Sequence, residues 1–255
     1  MLLNELGNAL GEDPYFNQEF IMQQGIKSIH GSYWTKAELD YMYPSPDFIY
    51  FEFNRSGQLI YEKQGKHQDT TEMHFTYFNN STVSRKLKRD RYGYHVYNYS
   101  YDSKRRLIRS TYYQYRTDRK LKKPYDQNKA SLISDETFDY QDLSEVMYKK
   151  VYLNSSGSAY KDEFFHLDDQ NQLLRQESKL KTGTGITELD YHYDHRGRVT
   201  EKTSMVKFVN AKVTKFEYSY DEVGNLESIK EYKNDFYMTE YQLVYKPDRT
   251  LKAII

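Results

Sequence analysis

The sequence predicts an all-β chain, a meander of consecutive antiparallel hairpins forming one long curled sheet. Three observations carry this. Aromatic residues recur two apart with polar residues between them, each such run ends in Asp or Asn with a Gly three positions later in the best copies, and the pattern returns at 168, 194 and 221, spaced by 26 and 27 residues. Alternation with period two marks a half-buried strand. The Asp or Asn bonds its own backbone two residues on, and the Gly takes the positive φ that closes a short hairpin loop. A fixed period makes one hairpin the stacking unit.

Taken in order, residues 1–47 lack the hairpin signature and contain Asp13-Pro14, Gly31 and Pro44-Ser45-Pro46, so they read as an N-terminal leader or cap for an array that fills 48–255. Repeat arrays need such caps. Within the leader, residues 26–34 read as an opening strand and 35–41 as a short helical turn with Thr35 as its N-cap. The first copy is 51–59, with Phe51, Phe53, Asn54, Gly57 and Leu59; an eroded one follows at 73–78. In the copy at 99–107, Tyr97, Tyr99 and Tyr101 share one face while Asn98, Ser100 and Asp102 share the other. Between Arg116 and Ser134 the pattern lapses around Pro124 into an expected long loop, and strands resume with Phe138 and Tyr140. Asn154 to Gly157 is a further turn, 165–173 a further copy, and Gly183-Thr184-Gly185 a hinge between strands. The clearest copies are 191–199 and 218–226, and a degraded one lies at 243–248. Gly57, Gly197, Gly224, Asp194 and Asp221 are the expected turn residues, and the array should hold roughly 16 strands.

The run 218–226, Tyr-Ser-Tyr-Asp-Glu-Val-Gly-Asn-Leu, is complete; 191–199 lacks the Asn and has Val for Leu, and the others keep half. This signature resembles the YD repeats of Rhs-type bacterial surface proteins and toxin shells. The resemblance covers most of the chain after about residue 48. It implies consecutive hairpins curling into one sheet, a scaffold role, and export to the periplasm or the cell exterior. The toxin or protease parts of that family lie in other domains, with no counterpart in this sequence.

Composition agrees with a thin sheet. Hydrophobic residues are 38%, yet 28 residues are Tyr, and mean hydropathy is −0.95; the apolar material is amphipathic and tolerates a wet rim. An aromatic face left uncovered would be a large apolar patch, so an incomplete curl calls for a homodimer or larger assembly. There is no Cys, which excludes disulfide staples, thiolate catalysis and Cys-based zinc sites. No run approaches the roughly 20 apolar residues of a membrane span. The first ten residues lack the basic region and continuous apolar run of a signal peptide.

Net charge is zero, but 85–123 carries fourteen Lys and Arg against three Asp, a local +11 that the rest of the chain balances. Lys86, Lys88, Arg89, Arg105, Arg106 and Arg109 are the candidates for holding a polyanion, because Tyr92, Tyr94, Tyr97, Tyr99, Tyr101, Tyr112, Tyr113 and Tyr115 interleave with them. The competing reading is a buried Tyr face with an ordinary solvated charge face behind it. The expected partner is an acidic glycan or protein rather than nucleic acid.

No Gly-x-Ser-x-Gly elbow, phosphate loop or dinucleotide fingerprint is present, and no cofactor is called for. His192, Asp194 and His195 are the tightest group of metal-ligand types, but Asp194 already has a turn to hold. Two carboxylates at a fixed separation suffice for a glycosidase, so a carbohydrate-active enzyme is the rival to the leading reading, a non-catalytic scaffold.

Overall fold

The computed structural model describes Phe16 and residues 18–36, 41–67, 69–78, 82–117, 125–207, 211–222, 224–248 and 250–255. Among these there are seventeen strands in one antiparallel meander and a single short α-helix. No helix among them is long and apolar enough to cross a membrane. Two compact units divide the described residues, 18–137 and 138–255, the second including Phe16.

The first unit opens with α1 (Gln18–Gln23) and contains β1 (Ser28–Lys36), β2 (Met42–Phe53), β3 (Leu59–Lys66), β4 (Asp69–Tyr77), β5 (Val83–Asp90), β6 (Gly93–Tyr101), β7 (Leu107–Arg116) and the start of β8 (Ser131–Ser144). Each pairs with the next: Phe51 lies opposite Glu62, Met73 opposite Lys88, Tyr97 opposite Tyr112. Strand pairing therefore begins at Ser28, ahead of Phe48, because β1 and β2 already form a hairpin. Thr35 belongs to β1, where it faces Tyr43, and caps no helix; residues 37–40 lie outside the described set. The long loop also shrinks. After Tyr125, one 3-10 turn (Gln127–Lys129), capped by the Asp126 carboxylate, leads directly into β8 at Ser131.

The second unit continues β8 and adds β9 (Met147–Leu153), β10 (Ala159–Leu167), β11 (Leu173–Leu180), β12 (Ile186–Tyr193), β13 (Val199–Lys207), β14 (Lys212–Tyr220), β15 (Leu226–Lys233), β16 (Phe236–Tyr245) and β17 (Leu251–Ile254). Its core gathers Tyr191, Val199, Tyr218, Leu226, Ile229 and Leu243, with Phe16, Leu189 and Phe216 packed around them. These are the aromatic and aliphatic positions of the repeat. Burying each aliphatic side chain fully contributes roughly 1.5–3 kcal/mol. Gly183, at φ +108, lies between β11 and β12 as the hinge reading expects.

The turns follow one plan. The amide of Asp221 donates to the Asn225 carbonyl and that of Gly224 to the Asp221 carbonyl; the same pair of bonds closes the turns at Asn54, Asn154 and Asp194. This is a short hairpin loop closed by a left-handed residue and a bulge, and the register shift after Ser219 records the bulge. Gly57, Gly197 and Gly224 have φ of +75, +76 and +95. In two copies a residue with a side chain takes that place, Arg105 at +63 and Asn171 at +62.

The acid of the turn does more than bond two residues on. Asp194 Oδ1 accepts the amides of Arg196 and Arg198, and Oδ2 accepts Arg198 Nε at 2.7 Å. Asp221 and Asp102 hold Asn225 and Arg106 in the same way. Burial alone would raise the Asp194 pKa, but the Arg198 backbone amide and guanidinium prevail and hold it at about 2.

A Tyr stands immediately before five of the turns and supplies a second link. Its hydroxyl donates to the carbonyl of the residue that opens the strand after the preceding turn: Tyr77 to Leu59, Tyr101 to Val83, Tyr193 to Leu173, Tyr220 to Val199 and Tyr245 to Leu226, at 2.6–3.0 Å. Burial pushes Tyr77, Tyr193 and Tyr245 up to about 12. The sequence shows why Tyr recurs there only once this bond is known.

Candidate functional site

The basic stretch lies in the first unit, on β5, β6 and β7 and their turns. Alternation along β5 divides it. Arg85 and Arg89 stand opposite Asn98 and Tyr94 on one face, with Arg109 further along opposite Ser100. Lys86 and Lys88 stand opposite Tyr97 and His95 on the other. Arg105 and Arg106 belong to the β6–β7 turn. The six expected cations thus do not converge on one surface, because successive residues of a strand point to opposite faces.

Most of these cations are already engaged. Arg109 forms a bidentate pair with Asp135, with bonds of 2.8 and 2.6 Å. Arg106 Nε lies 2.8 Å from Asp102 Oδ2 and locks the turn. Arg89 is 3.7 Å from Glu72 and 5.5 Å from the Tyr94 ring centre. Lys88 is 3.7 Å from Asp90, and Lys86 lies over the Phe75 ring at 5.8 Å. Arg105 is exposed at its turn.

Arg85 stands apart. Its guanidinium carbon is 5.4 Å from the Tyr125 ring centre. Its Nε is buried and has no hydrogen-bond partner. Tyr125 itself sits 5.8 Å from Tyr94 and 6.3 Å from Tyr115, which stack on each other at 6.1 Å and 12°. This ring cluster explains a departure from the expected burial of β6. The most buried residues there are Tyr94 and Val96, at 8% and 2% exposure, while Tyr97, Tyr99 and Tyr101 on the other face are half-buried.

On that other face, Asp90, His95, Tyr112 and Tyr97 form a line. His95 Nε2 is 3.3 Å from Asp90, its Nδ1 is 2.7 Å from the Tyr112 hydroxyl, and the Tyr112 and Tyr97 rings stack at 4.8 Å. Burial first, then Tyr97 and Asp90, raises the Tyr112 pKa. An open depression of about 410 Å³ over the β2–β3 turn is lined by Asn54, Gln58, Phe75 and Tyr77 among others, and none of the basic candidates lines it.

The buried carboxylates of the second unit are paired within the sheet. Asp162 accepts Lys181 at 2.6 Å and Lys149 at 3.0 Å; Glu163 accepts Lys161 and the Tyr152 hydroxyl; Glu188 accepts Lys207. His192 is exposed and 4.0 Å from Glu201, while its neighbour Asp194 is engaged by the turn. Among the described residues no three His, Asp or Glu side chains come together as a metal site would need.

Sequence reasoning missed Arg85 as the distinctive cation; Tyr125 does lie in the loop, but its packing on Tyr94 and Tyr115 gives no signal in the sequence. A buried, unbonded Nε singles Arg85 out, and which side chains a strand residue is buried among is a property of register.

No protein family matches the chain, and no curated protein does. Solved structures similar to it include a porin-like protein from Bacteroides uniformis, 13% identical, with a TM-score of 0.41 over 84% of this chain and 94% of that one. Another is the TcdB2-TccC3-TEV structure, 14% identical, with a TM-score of 0.30 over 80% of this chain and 12% of the other. A third is the Photorhabdus luminescens Tc holotoxin pore, 12% identical, with a TM-score of 0.18 over 83% of this chain and 15% of the other.

Proposed function

We propose that the chain is a non-catalytic interaction scaffold of the bacterial surface or periplasm, whose first unit engages an acidic glycan or protein partner. One observation carries the non-catalytic part. The acids that recur with the repeat are held by the turns: Asp102, Asp194 and Asp221 each accept backbone amides on one oxygen and a side-chain donor on the other. A carboxyl held at about 2, as Asp194 is, stays ionised and is badly matched to proton transfer near neutral pH. The surface or periplasmic setting is supported by the YD-like motif, and the acidic partner by the +11 of residues 85–123.

The test is incubation with polygalacturonate, heparin and dextran at about 50 mM salt, where cation contacts are strong. Retention of the acidic polymers with their chain length and reducing ends unchanged supports the scaffold. New reducing ends accumulating in proportion to protein would overturn it in favour of a carbohydrate-active enzyme. Equal retention of dextran would remove the acidic partner.

A further inference from the structure

Several cations of the first unit carry a carboxylate. Arg89 has Glu72, Arg91 has Asp69, Arg106 has Asp102 and Arg109 has Asp135. Arg85, half-buried between the strands that carry Thr76 and Asn98, has no carboxylate among the described residues. Its Nε is covered and unbonded, and the Tyr125 ring is its neighbour at 5.4 Å. A cation partly withdrawn from water without a counter-charge is unfavourable, and a ring face offsets only part of that. An anion reaching the outer nitrogens of the guanidinium would supply the missing charge.

The surroundings say which kind of anion. Arg85 faces Asn98, which donates to the Thr111 hydroxyl at 3.2 Å, so hydroxyl and amide groups flank it rather than further cations. Arg89 and Arg109 on this face carry Glu72 and Asp135 beside them. A polynucleotide has a charge at every step and would meet those carboxylates. A glycan with an acid on one residue and neutral hydroxyls on the next would not. The planar guanidinium, held against Tyr125, presents the fork that binds carboxylate or sulfate by two parallel bonds.

We infer that Arg85, positioned by Tyr125, is the subsite for one acidic sugar residue of a bound glycan, an assignment that rests on the acidic-partner reading above. The experiment compares wild type with Arg85→Gln, Arg85→Lys and Arg109→Gln by calorimetric titration with hyaluronan, in which each uronic acid is followed by a neutral sugar, and with heparin, dextran, poly-glutamate and a single-stranded oligonucleotide. Arg85→Gln should weaken hyaluronan binding about ten-fold, as expected for a lost charged hydrogen-bond pair. Arg85→Lys, a point charge without the fork, should fall between. Arg109→Gln should stay within about two-fold, since that guanidinium is already held by its own carboxylate. The melting temperature of Arg85→Gln should equal or exceed that of wild type, which separates lost binding from lost folding. Unchanged binding by Arg85→Gln, or equal losses in Arg85→Gln and Arg109→Gln, would overturn the subsite while leaving the acidic partner standing. Tightest binding of poly-glutamate or the oligonucleotide would overturn the sugar. Binding of none of the acidic polymers by wild type would remove both readings together.

Discussion

Gly57 and Gly157 occupy the same place in two turns of the same design, at φ +75 and +78, and substituting each by Ala separates backbone strain from packing. The strain is shared: an L-residue in the left-handed region costs about 1–2 kcal/mol. The packing is not. A Cβ at Gly157 meets nothing within 4 Å, whereas one at Gly57 falls 2.2 Å from the Gln18 carbonyl oxygen and 3.1 Å from the Met22 nitrogen. An ordinary carbon–oxygen approach is about 3.3 Å or more, so α1 must retreat by roughly 1 Å. That retreat breaks the 2.8 Å bond from Gln18 Nε2 to the Ser56 carbonyl, worth about 1 kcal/mol. It also begins to uncover Ile21, now 1% exposed, whose full exposure costs about 1.5–3 kcal/mol. Gly57→Ala should therefore cost roughly 3–5 kcal/mol and Gly157→Ala about 1–2. Urea denaturation gives the totals. Hydrogen exchange at the Ile26 amide, which bonds the Ile21 carbonyl, reports α1 directly and should accelerate only in Gly57→Ala. Equal losses of stability, or an Ile26 amide as protected as in wild type, would refute the placement of α1 against this turn.

Tyr193→Phe removes a 2.7 Å bond to the Leu173 carbonyl and should cost about 1 kcal/mol at neutral pH. Burial, with smaller contributions from Tyr191 and Asp168, raises this phenol to about 12 when folded against an unfolded value near 10. Its contribution is therefore intact below pH 10 and is lost as pH rises through 12, so thermal melts of the variant across that window should decline less steeply than those of wild type. Asp194 has the opposite sign. Its folded value of about 2 lies below the ordinary 3.8, so its stabilisation is present above pH 4 and disappears as pH falls toward 2; Asp194→Asn should flatten that acid limb, measurable in the same melts. Arg105→Gly should raise stability by about 1 kcal/mol, because φ +63 suits glycine and strains arginine; a lower midpoint in urea would show that the Arg105 side chain contributes more than its backbone loses.

What the sequence made legible was the period-two and Asp-to-Gly pattern, which depend on neighbours a few residues apart. Every turn built on Asn54, Asp194 or Asp221 lies where the pattern puts it, and the strands before them are the aromatic runs. Register was not legible, and register decides which charges meet. Arg109 is neutralised by Asp135, 26 residues away. Arg85 and Lys86 are adjacent in sequence yet serve different faces. Strand pairing also starts ahead of residue 48: the opening strand expected at 26–34 is β1, and Pro44 and Pro46 fall within β2 where β1 is its partner, Pro44 pairing with Trp34.

Phe53 and Leu167, which stand where other copies have Tyr, show what the repeat requires. In antiparallel order, turns two strands apart lie at the same end of a sheet, and each Tyr hydroxyl reaches from one such turn to the one before it. Phe53 precedes the first of these turns in its unit, so no earlier turn of this kind offers it a carbonyl; its amide donates instead to Lys27 of the segment before β1. Leu167 follows the Asn154 turn, which lies at the opposite end of β10, and the turn before it at its own end is the tight one between Ser144 and Met147. There the Leu167 amide donates to the Val146 carbonyl, and no side-chain bond is needed. Tyr thus appears where a five-residue turn precedes at the same end, as at Tyr77, Tyr101, Tyr193, Tyr220 and Tyr245. The decay of the motif in this chain therefore follows its topology. A residue that reads as a lapsed copy is one whose bonding partner the meander has moved elsewhere.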